Sequence, residues 1–306
     1  MLGDKLSNYH FGEDHPFGPK RYWAFKEEFE LRSLNKKVLL SAPQQATEKQ
    51  LALFHTQEYI NKAKALSDKG EGYLDCGDTP AIKGIYESAC TVVGTTLKAV
   101  DLIMKGDCHF AFSPIAGLHH ATRNSAAGFC VFNDCGIAIE YLRKEYKIQR
   151  IAYVDIDAHH GDGVFYSFEN DTDLCFVDFH QDGATLYPGT GFINETGKDN
   201  AVGTKLNIPL PPNSTDKIAK TLWQSAEEFI EKFKPEFILL QCGADSLAGD
   251  PITQLNLTST FHSYVASRLS LLSNKYSNGR LLVMGGGGYN LDNIKAAWND
   301  VIEQLI

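Results

Sequence analysis

The most informative segment of the sequence is Val154-Asp155-Ile156-Asp157-Ala158-His159-His160-Gly161-Asp162-Gly163. It continues an apolar run that starts at residue 150, and within eight positions it adds three aspartates and two histidines. An apolar run of this length is typical of a strand that helices cover on both faces, as in a parallel sheet. Ligands of open α/β sheets bind where such strands end. The stretch therefore predicts a buried parallel strand with a functional site at its carboxyl end.

Similar runs elsewhere in the chain predict the rest of the sheet. The predicted strands cover residues 109–113, 150–157, 174–180, 236–243 and 280–285. Helical spacing predicts helices at residues 84–105, 137–146, 218–233, 258–276 and 291–306. Asn133-Asp134 and residues 214–216 are expected to cap two of these helices, and long loops are expected at residues 68–83, 181–204 and 285–290. The alternation indicates one α/β domain over residues 1–306, with a central parallel sheet flanked by helices.

Composition and charge exclude several classes of protein. The chain has 306 residues, of which 43% are hydrophobic and 22% are charged, so a disordered protein is excluded. Its 29 basic and 38 acidic residues give a net charge of −9. So acidic a chain lacks the basic surface of a nucleic-acid binder and would be repelled by anionic membranes. We therefore expect neither nucleic acid nor membrane as a partner, and cationic ligands are favoured.

The cysteines and the N-terminal residues indicate a compartment. The seven cysteines contain no CxxC motif, and an odd number cannot all pair, which indicates reduced thiols. The sequence shows no signal-peptide pattern and no apolar run long enough to span a bilayer. We expect a cytoplasmic location, with secretion by a route that needs no signal peptide as the alternative.

The side chains at the end of the strand predicted at residues 150–157 indicate a metal site. With a period of two residues, Asp155, Asp157 and His159 point the same way, and an Asp and a His two apart suit zinc or another divalent ion. Asp245, at the end of a later strand, is well placed to supply a third ligand and leave one position open for water. Each residue alone could instead be a helix cap or a histidine satisfied within the fold. Burying this many charges without an ion would cost several kcal/mol for each unpaired group, which favours the metal.

Two further motifs bear on chemistry. His119-His120 could be metal ligands, an acid–base pair, or a surface pair of no consequence. Because Asp155 and Asp162 remain after Asp157 and His159 bind the metal, one aspartate behind each histidine is expected. The four glycines at residues 285–288 could form a phosphate cradle or a flexible turn, but they lack the usual phosphate-binding motifs. We favour a close approach of this backbone to the metal, with the Tyr289 hydroxyl presented to a substrate carbonyl.

Five motifs, in this order and spacing, resemble the zinc-dependent histone deacetylase superfamily, which includes acetoin-utilisation proteins and acetylpolyamine amidohydrolases. They are HHA at residues 119–121, DIDAHHGDG at 155–163, YPGTG at 187–191, GADSLAGDP at 243–251 and GGGGYN at 285–290. His15-Pro16, Lys20-Arg21 and Asp78-Thr79-Pro80 also fit, so the resemblance covers nearly the whole chain. It implies an arginase-like fold.

The resemblance also implies roles for individual residues. Those at the reaction centre are the zinc ligands Asp157, His159 and Asp245, the general base and acid His120 with Asp162, the electrostatic partner His119 with Asp155, and the carbonyl-polarising Tyr289. Those around the substrate are the tunnel walls Gly128, Phe129 and Tyr187, the rim residue Asp78, the wall residue Ile252, and Arg21 in an inner channel. A structural potassium ion is implied at Asp155, Asp157, His159, Asp178 and Phe179. Asp178 replaces the usual serine there, which would either strengthen cation binding or fill space as a neutral acid.

The activity that the resemblance implies is a zinc-dependent hydrolase removing an acetyl or longer acyl group from the side-chain amine of acyl-lysine in proteins or peptides. Zn²⁺ is the implied ion, with Fe²⁺ as an alternative in vivo. An acetylpolyamine or other small-molecule amidohydrolase is the alternative function. Ile252, where some polyamine-specific relatives carry a glutamate, speaks against it, although Glu71 and Asp75 could supply a counter-charge. A non-catalytic acyl-lysine reader is a third hypothesis. Acyl-chain length, natural substrate and oligomeric state stay open.

Overall fold

A computed structural model describes residues 1–306 and contains a single six-stranded sheet in which every neighbouring pair is parallel. The strands are β1 (Phe110–Ser113), β2 (Ile151–Asp155), β3 (Leu174–Gln181), β4 (Lys205–Leu210), β5 (Phe237–Gln241) and β6 (Leu281–Met284). Their order is β1-β6-β5-β2-β3-β4, so β2 lies between β5 and β3 near the centre. The predicted central parallel sheet is confirmed.

Helices cover both faces of the sheet. They are α1 (Lys20–Leu31), α2 (Glu48–Leu51), α3 (Gln57–Lys69), α4 (Ile85–Lys105), α5 (Asp134–Tyr146), α6 (Asp162–Ser167), α7 (Asp216–Phe233), α8 (Ser259–Tyr276) and α9 (Leu291–Leu305). Alternate residues of β2 enter opposite cores: Ile151 and Tyr153 pack with α3, α4 and α5, whereas Ala152 and Val154 pack with α1, α7, α8 and α9. This two-sided burial explains why the strand is apolar at successive positions.

The five predicted strands are present, each within two residues of its predicted bounds, and five elements escaped prediction. β4 carries polar residues and Pro209, which is tolerated because β4 is an edge strand. The helices α1, α2, α3 and α6 were also not predicted. The Asn133 cap is confirmed, since its side chain accepts a 2.8 Å hydrogen bond from the Gly136 N–H. Thr215 is the residue before α7 but makes no side-chain cap bond, and the Asp216 carboxylate accepts a 2.8 Å hydrogen bond from the Thr258 N–H.

Two other features of the chain follow from the structure. None of the helices combines the length and apolar character that crossing a membrane requires. All seven cysteines are free, and five of them are buried. The five buried thiols therefore act as apolar core groups in this fold.

Candidate active site

Three side chains converge where β2 and β5 end. Asp157 and His159 follow β2, and Asp245 lies in a 3₁₀ turn after β5. One ligand atom from each lies within 4.8 Å of the others, and all three residues are buried. This arrangement of two carboxylates and one imidazole could hold a metal ion, and its mixed oxygen and nitrogen donors suit Zn²⁺.

Backbone and amide donors hold the Asp157 carboxylate in place. Its Oδ2 accepts 2.8 Å hydrogen bonds from the Gln241 side chain and from the Gly287 N–H, and its Oδ1 accepts from the His159 N–H at 3.0 Å. A Cβ on Gly287 would lie 2.1 Å from an Asp245 oxygen, and one on Gly243 would lie 2.0 Å from an Asp157 oxygen. These glycines are therefore required for the backbone to approach the carboxylates.

Asp245 is the member of the cluster whose carboxylate is least satisfied by hydrogen bonds. Its Oδ1 accepts a 2.9 Å hydrogen bond from the Ala158 N–H, whereas its buried Oδ2 has no well-aligned hydrogen-bond donor and lies 3.2 Å from the Nδ1 of His159. Burial, together with the nearby Asp157 carboxylate, raises the pKa of Asp245 to about 7. A buried carboxylate oxygen is costly to leave without a partner, and a cation between Asp157 and Asp245 would satisfy it. The residues present therefore fit a metal ion.

Two histidines next to this cluster each contact a different carboxylate. The Nδ1 atom of His119 lies 2.7 Å from Asp155, and that of His120 lies 2.7 Å from Asp162. The two Nε2 atoms are 3.1 Å apart. The ring centroids of His120 and His159 are 5.9 Å apart, so the pair borders the metal cluster.

These contacts assign the protons of the two rings. Both Nδ1 atoms donate to carboxylates, so the bond between the Nε2 atoms requires one ring to be charged and the other neutral. Burial alone lowers the pKa of His119, but the carboxylates of Asp155 and Asp157 raise it to about 10. Burial and the charge of His119 lower the pKa of His120. We therefore assign the charge to His119 and an acceptor lone pair to His120 Nε2.

The start of α5 fixes the loop that carries both histidines. The buried carboxylate of Asp134 accepts hydrogen bonds from the N–H groups of Gly117 and Leu118 at 2.8–3.1 Å. The Asn133 amide donates to the carbonyls of His119 and Ala121 at 3.1 and 2.8 Å. Asn133 and Asp134 were expected only as a helix cap, and the structure shows that they also position the histidine loop.

Tyr289 lies beside the cluster with its hydroxyl protonated. Burial raises the pKa of Tyr289 well above its usual range, so the hydroxyl is a donor at neutral pH. Asp250 fixes the backbone here by accepting a 2.8 Å hydrogen bond from the Tyr289 N–H. Arg21 donates to the carbonyls of Gly286 and Gly288 at 2.6 and 2.7 Å, and its guanidinium stacks 3.8 Å over Phe17. Together these contacts hold the glycine-rich loop.

The expected tunnel residues surround the approach to this centre. The ring centroid of Tyr187 lies 5.2 Å from that of His120, and the ring of Phe129 lies 5.9 Å from that of Tyr289. Gly128 is required here, because a Cβ would lie 2.4 Å from the His120 ring. Asp78 follows in the loop near His15, whose ring nitrogen is 3.3 Å from the Asp78 carbonyl. Ile252 lines a neighbouring groove with Tyr289, Arg21 and His15.

Asp178, one of the implied potassium ligands, is already bonded to other groups of the protein. Asp178 accepts from the Gly161 N–H at 2.8 Å and contacts His180 Nδ1 at 2.7 Å. His180 Nε2 lies 2.8 Å from the carbonyl of Gly191, so both ring nitrogens face acceptors and the ring is an imidazolium. Asp178 and His180 thus form a buried ion pair. Phe179 is buried against Trp223 at a ring distance of 5.7 Å. The potassium site itself stays a prediction.

Sequence reasoning missed several residues that support the site. Gln241 holds Asp157, the Tyr153 hydroxyl donates a 2.6 Å hydrogen bond to Asp155, and His180 neutralises Asp178. Each is a polar side chain inside an otherwise apolar strand, which is the signal that could have found them. A polar group that is buried in a central strand needs a partner, and the carboxylates are those partners.

Comparison with known proteins agrees with this geometry. A family model described as the histone deacetylase domain matches residues 15–305.

This chain belongs to the histone deacetylase family.

Curated relatives of this histone deacetylase-family chain include the acetoin utilization protein AcuC of Bacillus subtilis (strain 168), which is 35% identical over 95% of this chain and 77% of that protein. The protein of the same name from Staphylococcus aureus (strain MSSA476) is 34% identical over all of this chain and 81% of its own length. The crystal structure of the HDA15 HD domain superposes with a TM-score of 0.89 and 25% identity, covering 99% of this chain and 88% of that one. The family and the arginase-like α/β fold are confirmed.

Gln241 provides a test of the metal cluster. Replacing Gln241 with Leu removes the amide that holds Asp157, so we expect the affinity for Zn²⁺ to fall by about 10- to 100-fold, as for other residues that orient ligands. Competition with a chelating dye measures this affinity without any substrate. Gln181→Leu is the matched control, because Gln181 is also the buried last residue of a strand but bonds Gln254 and Thr185. Equal affinities in the two variants would contradict the assigned metal site.

Proposed function

We propose that this protein is a zinc-dependent hydrolase that removes a short acyl group from the side-chain amine of acyl-lysine in proteins or peptides. The observation that carries the proposal is the pair of carboxylate-backed histidines beside the Asp157, His159 and Asp245 cluster, with the Tyr289 hydroxyl next to them. This set provides a base, an acid and an oxyanion donor, as hydrolysis of an amide requires.

The side chains divide the reaction between them. The Nε2 lone pair of neutral His120, which accepts from His119 in the structure, would turn to the attacking water, take its proton and later return a proton to the departing amine, while Asp162 keeps the proton of the ring on Nδ1. Charged His119 and the Tyr289 hydroxyl stabilise the oxyanion that develops on the carbonyl. Zn²⁺ held by Asp157, His159 and Asp245 would supply Lewis acidity, which polarises the carbonyl and makes water a stronger acid. A protein that only bound acyl-lysine, without hydrolysing it, would need none of these groups.

The space at the reaction centre supports a short acyl group. The cavity beside the metal cluster measures about 20 Å³ and is closed by Phe17, Leu118 and Cys130 in addition to the catalytic side chains. This volume is about that of one water-sized group, which favours a small acyl group such as acetyl. The stacking of Arg21 on Phe17 supports this wall from behind.

The loop acids that could serve a polyamine are already occupied. Asp75 accepts hydrogen bonds from the N–H groups of Gly77, Asp78 and Thr79 at 2.9–3.1 Å, so its carboxylate closes the loop. Glu71 is exposed and pairs with Lys69 at 3.4 Å. With Ile252 apolar and both of these acids engaged, the positions expected to bind a second ammonium provide no counter-charge, which favours a peptide over a polyamine.

Three further expectations belong to this proposal. The whole chain would act as one catalytic domain in the cytoplasm. K⁺ would bind near Asp155 and Asp178, beside the zinc. Its substrate would be an acylated protein or peptide, with no role for nucleic acid or a membrane.

A turnover panel with zinc-loaded protein tests the function. It compares acetyl-, butyryl- and long-chain acyl-lysine peptides with acetylated polyamines, with Asp157→Ala as the inactive blank. We expect hydrolysis of the peptides, with kcat/KM highest for acetyl-lysine and falling as the chain lengthens, because the cavity is small. Turnover of polyamines alone would move the protein to the small-molecule hydrolases, and a preference for long chains would overturn the cavity argument.

The role of Tyr289 gives a second prediction. Tyr289→Phe removes the hydroxyl but keeps the ring, so we expect kcat to fall by about 100- to 1,000-fold, the usual cost of losing an oxyanion donor. Zinc content, measured by metal analysis, should not change. Tyr264→Phe, on the remote helix α8, controls for the substitution itself. Undiminished turnover in Tyr289→Phe would refute the role.

Asp78 predicts a pH dependence of substrate binding. Burial and the adjacent Asp75 carboxylate raise the pKa of Asp78 to about 6, so the group is a carboxylate acceptor above that pH and a neutral acid below it. If Asp78 accepts the backbone N–H groups of the substrate, KM for peptides rises as the pH falls through about 6. In Asp78→Asn this component of the KM profile disappears, whereas Glu71→Gln, in the same loop, retains it. A profile unchanged by Asp78→Asn would rule out the contact.

A further inference from the structure

Lys205 is a buried cation that the proposed chemistry does not use. It begins the edge strand β4, and its side chain is 1% exposed. Burial lowers the pKa of Lys205 to about 8, so the ammonium stays largely charged at neutral pH. An ammonium removed from water costs several kcal/mol unless other groups replace its hydration shell.

Three uncharged oxygens replace that shell. The ammonium donates to the carbonyls of Asp171 and Leu174 at 2.8 and 3.0 Å and to the Thr204 hydroxyl at 2.6 Å. The Thr204 hydroxyl directs its own hydrogen to the carbonyl of Ala201 at 2.7 Å, so its oxygen faces Lys205 with lone pairs only. The nearby carboxylate of Asp171 pairs with Arg143 instead. The ammonium is therefore solvated by a built cage of backbone and hydroxyl oxygens.

Such a cage has the ligand chemistry of a monovalent metal site. Backbone carbonyl oxygens also replace the hydration shell of K⁺ in proteins. A carboxylate would be expected for a divalent ion, and none contacts the Lys205 ammonium. We propose that Lys205 acts as a tethered monovalent cation, and that shortening its side chain leaves a site for K⁺ or a small alkylammonium ion.

The position of the cage explains why a cation is useful there. Asp171 lies in the connection between α6 and β3, and Leu174 is the first residue of β3, so Lys205 joins the end of this connection to β4. Helix α6 begins at Asp162, whose carboxylate contacts His120. Lys205 thus fixes the segment that follows the helix carrying Asp162, as a positioning residue that contacts no reacting atom.

Chemical rescue tests the inference without reference to activity. The melting temperature of Lys205→Ala is measured in KCl, methylammonium chloride and choline chloride at equal ionic strength. We expect the variant to melt about 5 °C or more below the wild type in choline chloride, since a large loss of buried contacts shifts melting by several degrees. KCl and methylammonium should restore part of this loss, because a ligand that binds only the folded state stabilises it.

Matched variants make the outcome specific. In Lys205→Met an uncharged chain fills the cage, so we expect loss of stability without rescue by either cation. Lys198→Ala removes an exposed lysine that pairs with Glu169, a residue of the connection between α6 and β3. The melting temperature of this variant should match that of the wild type. K⁺ bound at the predicted site near Asp155 and Asp178 would stabilise the wild type as well. Only the additional rise in melting temperature of Lys205→Ala therefore tests the proposal. If neither cation raises the melting temperature of Lys205→Ala more than that of the wild type, the proposal is overturned. If Lys205→Ala is too unstable to purify, its refolding yield is measured in KCl and in choline chloride. A gain in KCl no larger than that of the wild type would overturn the proposal in the same way.

Discussion

Several carboxylates are buried together at the carboxyl end of the sheet, and the cost of removing them from water determines how the residues around them are arranged. The buried aspartates there are Asp155, Asp157, Asp178 and Asp245, with Asp162 largely buried beside them. Each ionised carboxylate that leaves water costs several kcal/mol unless donors or cations replace the water. The surrounding structure supplies these donors in an ordered way, and the chemistry proposed for the site follows from how the charges are compensated.

Three kinds of partner provide this compensation, and each has a different consequence. Backbone N–H groups and the Gln241 amide fix Asp157 in one orientation. Imidazoles neutralise Asp155 and Asp178, since His119 and His180 both carry a proton on each nitrogen. The Oδ2 of Asp245 has no well-aligned donor and lies 3.2 Å from the Nδ1 of His159. A metal ion held by Asp157, His159 and Asp245 would compensate the carboxylates that the other partners leave charged.

The sequence predicted what depends on neighbouring residues and missed what depends on distant ones. Asp157 and His159 were recognisable because two residues of spacing place them together at a strand end, and the five apolar strands were recognisable for a similar reason. The strand β4 was missed because Lys205, Asn207 and Pro209 break its apolar pattern, and the two carbonyls that accept from Lys205 lie some thirty residues earlier in the chain. The role of Asp134 was likewise hidden, because a cap at a helix start looks the same whether or not it also holds the loop at residues 117–119.

The proposed roles place the chemistry and the selectivity on different parts of the fold. The residues that would move protons or bind metal lie on strand ends and on tight loops, where glycines such as Gly128 and Gly287 leave no space for a side chain. Asp78, Tyr187 and Ile252, which would contact the body of a substrate, lie on longer connections that are free of the sheet. A change in these connections can therefore alter the substrate without disturbing the carboxylates. For this reason the relatives at 34–35% identity support membership of a hydrolase family more strongly than they support any one substrate.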